Sequence, residues 1–215
     1  MLRLQQFSKS YGGRQVLAIE HVSFEKGIYW VKGENGSGKS TLFKAVAGII
    51  PFDGDIFCDN LNLKKHGVAY RRVVNYAEAE PLYPGFLTAK DLIRFVGDAK
   101  GSTRAQQNYY VEKFGVTSYF ETPVDTFSSG MLKKLSLVMA FLGTPKVILL
   151  DEPLITLDVD AAKVLAETIQ EATSRGIMFI ISSHQDLSQN NLDLTAVYRI
   201  ENQTLRFERA GKHIQ

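Results

Sequence analysis

The stretch GENGSGKST, residues 33–41, narrows what this chain can fold into more than any other. It follows the apolar run IYWV at 28–31 and leads into LFKAVAGII, where Leu42, Val46 and Ile49 recur at helical spacing. A buried strand that turns through glycines into a helix gathers consecutive backbone N–H groups and a helix N-terminus at one point. That geometry suits phosphate oxygens. From Gly33 to Ser40 the residues satisfy G-x-x-x-x-G-K-[S/T] in full. The pattern predicts that Asn35, Gly36, Ser37, Gly38 and Thr41 cradle phosphates and that Lys39 reaches the β- and γ-phosphates. It gives the Ser40 hydroxyl to Mg²⁺. A chance glycine-rich turn is the alternative, and the flanking strand and helix argue against it.

The run KVILLDEP at 146–153 fits beside this loop. A buried strand that ends in acids delivers carboxylates to its C-terminal end, where ligands sit in parallel sheets. Asp151 is the expected metal ligand. Glu152 is the expected group that polarises an attacking water near the γ-phosphate. An acidic pair after an apolar run is common in itself; the phosphate loop gives this one its meaning.

The remaining segments supply the frame. LRLQQFSKSY and VLAIEHVSFEKG alternate loosely and predict antiparallel strands with turns at Gly12–Gly13 and Lys26–Gly27. KVILLDEP and GIMFIISSH are short apolar strands separated by the amphipathic VDAAKVLAETIQEAT, a pattern that predicts a parallel sheet covered on both faces. Residues 80–126 read differently: the turn cluster EPLYPG precedes two helical segments, TAKDLIRFVGDA and RAQQNYYVEKFG. The expectation is a single α/β domain over 1–215. Residues 1–79 and 143–215 form its core with an N-terminal antiparallel β subdomain, and 80–142 form an inserted helical subdomain.

Bulk properties exclude several classes. A formal net charge of +2 gives no electrostatic footprint for nucleic acid, so none is expected as a partner. One cysteine, Cys58, allows no internal disulfide framework. No stretch approaches the roughly 20 apolar residues that cross a bilayer, and the N-terminus lacks a signal-peptide pattern. The expectation is a cytoplasmic protein.

Placed in order, these motifs resemble the ATP-binding subunit of an ABC transporter over essentially the whole chain. FSSGM at 127–131 is similar to that family's LSGGQ signature, with Ser128 and Gly130 at matching positions and Ser129 and Met131 departing from it. Tyr11, in SYGG, matches the aromatic that stacks on adenine. LITLD at 154–158 resembles the D-loop, with Asp158 its acid, and His184 in ISSH matches the switch histidine. Read locally, Tyr11 could equally be hairpin packing and Asp158 a helix cap. The Gln that the family carries at the entry to the helical subdomain is absent from VVNYAEAEPLYP; Glu78 is the best alignment and Glu80 the second.

The resemblance implies a P-loop NTPase (RecA-like) core that binds and hydrolyses ATP with Mg²⁺. It implies a composite site in which Lys39, Ser40, Asp151, Glu152 and His184 of one chain face Ser128 and Gly130 of a second ATP-binding subunit, a homodimer partner or close paralogue. The stretch from Ser128 reads locally as a Ser-capped helix with Leu132, Leu135, Met139 and Leu142 on its apolar face, and its N-terminus would then be left for the phosphate of an ATP on the other subunit. Polytopic transmembrane subunits would hold the pair at the inner face of the cell membrane. Leu82, Tyr83, Phe86 and Leu87 are candidates to receive them, with internal packing the alternative. A soluble ABC-type ATPase in assembly or regulation is the second reading. A P-loop kinase has no use for the SSGM, LITLD and His184 elements in this order.

Overall fold

The computed structural model describes residues 1–184, 187 and 192–211. Its frame is a six-stranded sheet in the order β10-β9-β3-β8-β7-β6. These strands are β3 (Ile28–Lys32), β6 (Val74–Ala77), β7 (Val147–Asp151), β8 (Met178–Ser182), β9 (Ala196–Glu201) and β10 (Thr204–Ala210). All neighbouring pairs are parallel except the β9–β10 hairpin.

Strand alternation sorts the apolar residues onto two faces. Ile28, Trp30, Ile148, Leu150, Phe179 and Ile181 enter one core. Tyr29, Val31, Val147, Leu149, Met178 and Ile180 enter the other. The central strands β3, β7 and β8 are therefore almost uniformly buried, as expected of a sheet covered on both sides.

The second core lies under a four-stranded sheet ordered β2-β1-β4-β5. Here β1 (Leu2–Tyr11) pairs antiparallel with β2 (Arg14–Phe24) and β4 (Asp53–Cys58), and β5 is Leu61–Asn62. Helices α1 (Lys39–Val46) and α2 (Gly67–Val73) complete this side, where the buried Tyr70 hydroxyl donates to Val46 O at 2.9 Å.

The first core is covered by α3 (Ala89–Lys100), α4 (Arg104–Lys113), α5 (Ser129–Ala140) and α6 (Val159–Ser174). The segment between β6 and β7 therefore shares one continuous core with the sheet. Phe141, just past α5, joins the two parts: its ring lies 5.4 Å from Tyr110, 5.7 Å from Phe114 and 5.9 Å from Phe179.

Two expectations need correction. The first helix stops at Val46 and does not carry Ile49 on its apolar face; Ile49 is 53% exposed. Gly48, at φ 73°, ends the helix by donating to Ala45 O while Ile49 N returns to Lys44 O, a double closure that needs the left-handed conformation glycine adopts freely. Likewise α5 ends at Ala140, so Leu142 is buried beyond the helix. The helix α2 and the β9–β10 hairpin carry no strong sequence signal and emerge only in the fold.

Candidate nucleotide site

Residues 33–38 link β3 to α1, and Ser37 N closes a turn onto Glu34 O at 3.1 Å. Gly38, in the left-handed conformation at φ 107°, occupies the N-cap of α1 and offers no side-chain cap. The other longer helices are each capped by a side chain: Thr88 for α3, Thr103 for α4, Ser128 for α5 and Asp158 for α6. The first turn of α1, with Lys39, Ser40 and Thr41, also has no acidic residue. Its orphan N–H groups and dipole are thus left for an anion. Within the same loop the Ser37 hydroxyl is buried with no hydrogen-bond partner.

Lys39 is buried, and its Nζ donates to Gly33 O at 2.8 Å and Glu34 O at 3.1 Å. It also lies 3.9 Å from Glu152 Oε1. The other oxygen, Glu152 Oε2, is 2.9 Å from His184 Nδ1. One carboxylate therefore spans the lysine of the loop and the half-exposed histidine that follows β8.

The β7–β8 ladder fixes this arrangement by pairing Asp151 with Ser182. Ser182 Oγ donates to Asp151 Oδ1, and the Tyr76 hydroxyl donates to Asp151 Oδ2 at 3.2 Å. Burial, with Asp151 close by, holds the Tyr76 hydroxyl far above its ordinary pKa, so it stays a donor. Glu152 takes a positive φ of 44° and donates its N–H to Ser182 O at 3.1 Å and to Ser182 Oγ at 3.0 Å. Behind His184, the indole Nε1 of Trp30 donates to Ser183 O at 3.0 Å.

Glu78 follows β6 directly. Ala77, the last paired residue of β6, lies opposite Leu150, so Glu78 is the first residue past the ladder, beside the strand that ends in Asp151, and Glu80 is exposed two residues further along. Glu78 Oε2 lies 3.7 Å from Lys44 Nζ. Among the described residues, no group of three or more His, Cys, Asp or Glu could hold a metal by itself. The donors available, the Ser40 hydroxyl and the carboxylates of Asp151 and Glu78, fit Mg²⁺, which keeps waters and draws its remaining ligands from phosphates.

Ser128 and Gly130 open α5. Ser128 Oγ accepts from Met131 N at 3.2 Å, the serine cap expected at the start of this helix. A Cβ on Gly130 would stand 2.9 Å from Thr156 O, so glycine is required for the 154–158 loop to lie against the helix. Asp158 Oδ1 caps α6 through Ala161 N at 2.7 Å, and its Oδ2 pairs with Lys134 of α5 at 2.9 Å. Those bonds hold the Asp158 carboxyl below its usual pKa. Among the described residues, no hydrogen bond or ion pair joins Ser128 or Gly130 to residues 33–41.

Tyr11 ends β1 at the hairpin, 51% exposed, with Lys9 Nζ 4.5 Å from the ring centroid. The apolar quartet splits: Leu82 and Phe86 are 90% and 81% exposed, while Tyr83 and Leu87 pack against the first core. Burial pushes the Tyr83 hydroxyl up to about 12. Sequence reasoning passed over Trp30, Tyr76, Ser182 and Lys133. Only Lys133 had a visible signal, a lysine on the buried side of an apolar helix.

The ABC transporter family model matches residues 19–155. The lantibiotic transport ATP-binding protein SrtF of Streptococcus pyogenes is 32% identical over 186 residues, covering 86% of this chain and 80% of the relative. A solved ATP-binding subunit of an ABC transporter superimposes with a TM-score of 0.85 at 26% identity, over 95% of this chain and 88% of its own. The ATP-binding cassette MJ0796, solved as a dimer with ADP and Pi, shares the fold with a TM-score of 0.83 at 17% identity, over 97% and 98% of the two chains. With the phosphate loop, the paired acids and the ordered motifs in place, this chain belongs to the ABC transporter family as an ATP-binding, ATP-hydrolysing subunit.

Proposed function

We propose that the chain works as one half of an ATP-sandwiched pair that powers transport through separate membrane-spanning subunits. The observation that carries this reading is the Lys39–Glu152–His184 arrangement beside the uncapped end of α1.

Each residue has a physical task. Lys39 exchanges the neutral carbonyls of Gly33 and Glu34 for phosphate oxygens, which are stronger, charged acceptors. The N–H groups of residues 35–41 bind the same phosphates. Glu152, oriented by Lys39 and His184, accepts a proton from the attacking water. His184, with Nδ1 on that carboxylate, contacts the γ-phosphate. The exposed ring of Tyr11 offers adenine a stacking face. Ser40, Asp151 and Glu78 would hold Mg²⁺, which when bound screens the charge of the phosphates.

Ser128 and Gly130 serve the nucleotide of a second copy or a close paralogue, and Asp158 borders the same junction. Their lack of bonds to the chain's own loop supports this, as does the dimer of MJ0796. ATP then acts as an interface ligand that shifts the population toward the closed pair.

Among the described residues, no helix is long and apolar enough to cross a membrane. The membrane subunits are proposed to dock where the helical insertion, 80–142, meets the core. A cleft of about 260 Å³ lies there, lined by Ile49, Arg71, Glu78, Tyr83 and Met139 among others. Leu82, Phe86 and Phe95, on segments bordering it, expose large apolar side chains. The pair would sit at the inner face of the membrane.

Phosphate release from Mg-ATP without any acceptor tests the reading. The wild type is expected to release phosphate continuously and Lys39→Ala to lose about a hundredfold or more. Release that requires an added acceptor overturns the proposal in favour of a kinase.

Trp30→Phe probes the support behind His184. The apolar ring stays in the core but Ser183 loses a donor worth about 1 kcal/mol. Turnover is expected to fall several-fold with nucleotide affinity unchanged; a drop in Tm alone would assign Trp30 to packing.

A further inference from the structure

Lys133 sits on the side of α5 that faces the sheet and is only 1% exposed. Lysines are almost never buried this completely unless they are paired. Its Nζ donates to Glu78 O at 2.8 Å and to Ala79 O, the first carbonyls beyond β6. An ammonium has three donors and no acceptor, so it suits a strand end whose carbonyls have left the ladder. Burial pushes Lys133 down to about 8, against the opposing pull of Asp151, Glu152, Glu80 and Glu78.

One further tie runs between the same elements. Asn75 Nδ2 donates to Ala140 O at 2.8 Å and Leu142 O at 2.9 Å, gripping the end of α5. Strand β6 and the residues just past it are thus tied to α5 and its end at Asn75 and at Lys133, and among the described residues the Lys133 bonds are those made where Glu78 leaves the strand.

We infer that Lys133 is a positioning residue for Glu78, fixing the main chain at 78–79 to α5 so that this loop and the helix bearing Ser128 and Gly130 move as one body. Displacement of α5 is thereby transmitted to Glu78, one residue past the Ala77–Leu150 pair. The mechanical part stands on the bonds alone; its effect on metal binding rests on the ATPase reading above.

The test uses the full chain with Lys133→Met, which keeps the bulk of the side chain and removes its donors, and Lys133→Gln, which keeps an N–H. Without nucleotide, amide exchange over residues 79–83 is expected to rise about tenfold in Lys133→Met, with β7 and β8 unchanged. In a Glu152→Gln background, the gain in ATP affinity from Mg²⁺ over EDTA is expected to shrink about tenfold, with Lys133→Gln recovering part of it. Adding Lys133→Met to Glu78→Ala should change that gain no further, since Lys133 acts through Glu78.

Faster exchange spread over the whole chain with an unchanged Mg²⁺ effect would reduce Lys133 to a structural residue and overturn the inference. Additive losses with Glu78→Ala would overturn it too. If Lys133→Met does not fold, Lys133→Gln carries both measurements. A wild type without ATPase activity would sink the functional reading, while the exchange result would still decide the mechanical one.

Discussion

Glu152→Gln is expected to lower steady-state ATP turnover by about two to four orders of magnitude while leaving nucleotide affinity within a few-fold of wild type. The substitution is nearly isosteric and leaves the backbone, with its N–H bonds to Ser182, as it stands. What it removes is a proton acceptor and the charge between Lys39 at 3.9 Å and His184 at 2.9 Å. Binding depends on the loop and the end of α1, which do not change. With hydrolysis blocked, ATP should accumulate at the interface, so the variant should run as a dimer in ATP and as a monomer without it. Light scattering behind size exclusion reads that state directly. Unchanged turnover would remove Glu152 from the chemistry. A variant that stays monomeric in saturating ATP would rule out pairing with itself and point to a paralogue.

Phe141→Ala is expected to cost about 3–5 kcal/mol, the range for deleting a fully buried aromatic ring. Phe141 touches Tyr110 and Phe114 of the helical insertion on one side and Phe179 of β8 on the other. It is 2% exposed, so little water can fill the space it leaves. Because insertion and sheet share one core, urea denaturation followed by two probes should still show a single transition, shifted to lower concentration. A loss below about 1 kcal/mol, or a helical insertion that melts separately, would show that the ring does not bind the two parts together.

Elements written in contiguous residues were legible beforehand. The strand, loop and helix around 28–46 follow from apolar spacing and glycine positions, and the structure has them as β3 and α1. Ser128 and Asp158 cap the helices that follow them, since a cap needs only a side chain and an N–H three residues on. Even there the reading overran: the apolar spacing carried the first helix to Ile49, and the closure at Gly48 stopped it at Val46. Apolar character alone could not separate the exposed Leu82 and Phe86 from the packed Tyr83 and Leu87, because all four suit either environment.

Contiguous residues suffice to put a phosphate loop between a buried strand and a helix, to end an apolar strand in Asp151 and Glu152, and to begin a capped helix after Ser128. These are local matters, set by backbone preferences and hydrogen bonds that span a few residues. Which groups face each other is set by the packing of distant segments. Glu152 spans Lys39 and His184, Glu78 leaves its strand just past the Ala77–Leu150 pair, Trp30 supports the carbonyl before His184, and Lys133 holds the loop that bears Glu78. Those meetings join segments tens of residues apart, brought together by strand register and the closing of two cores, which no single stretch of residues encodes.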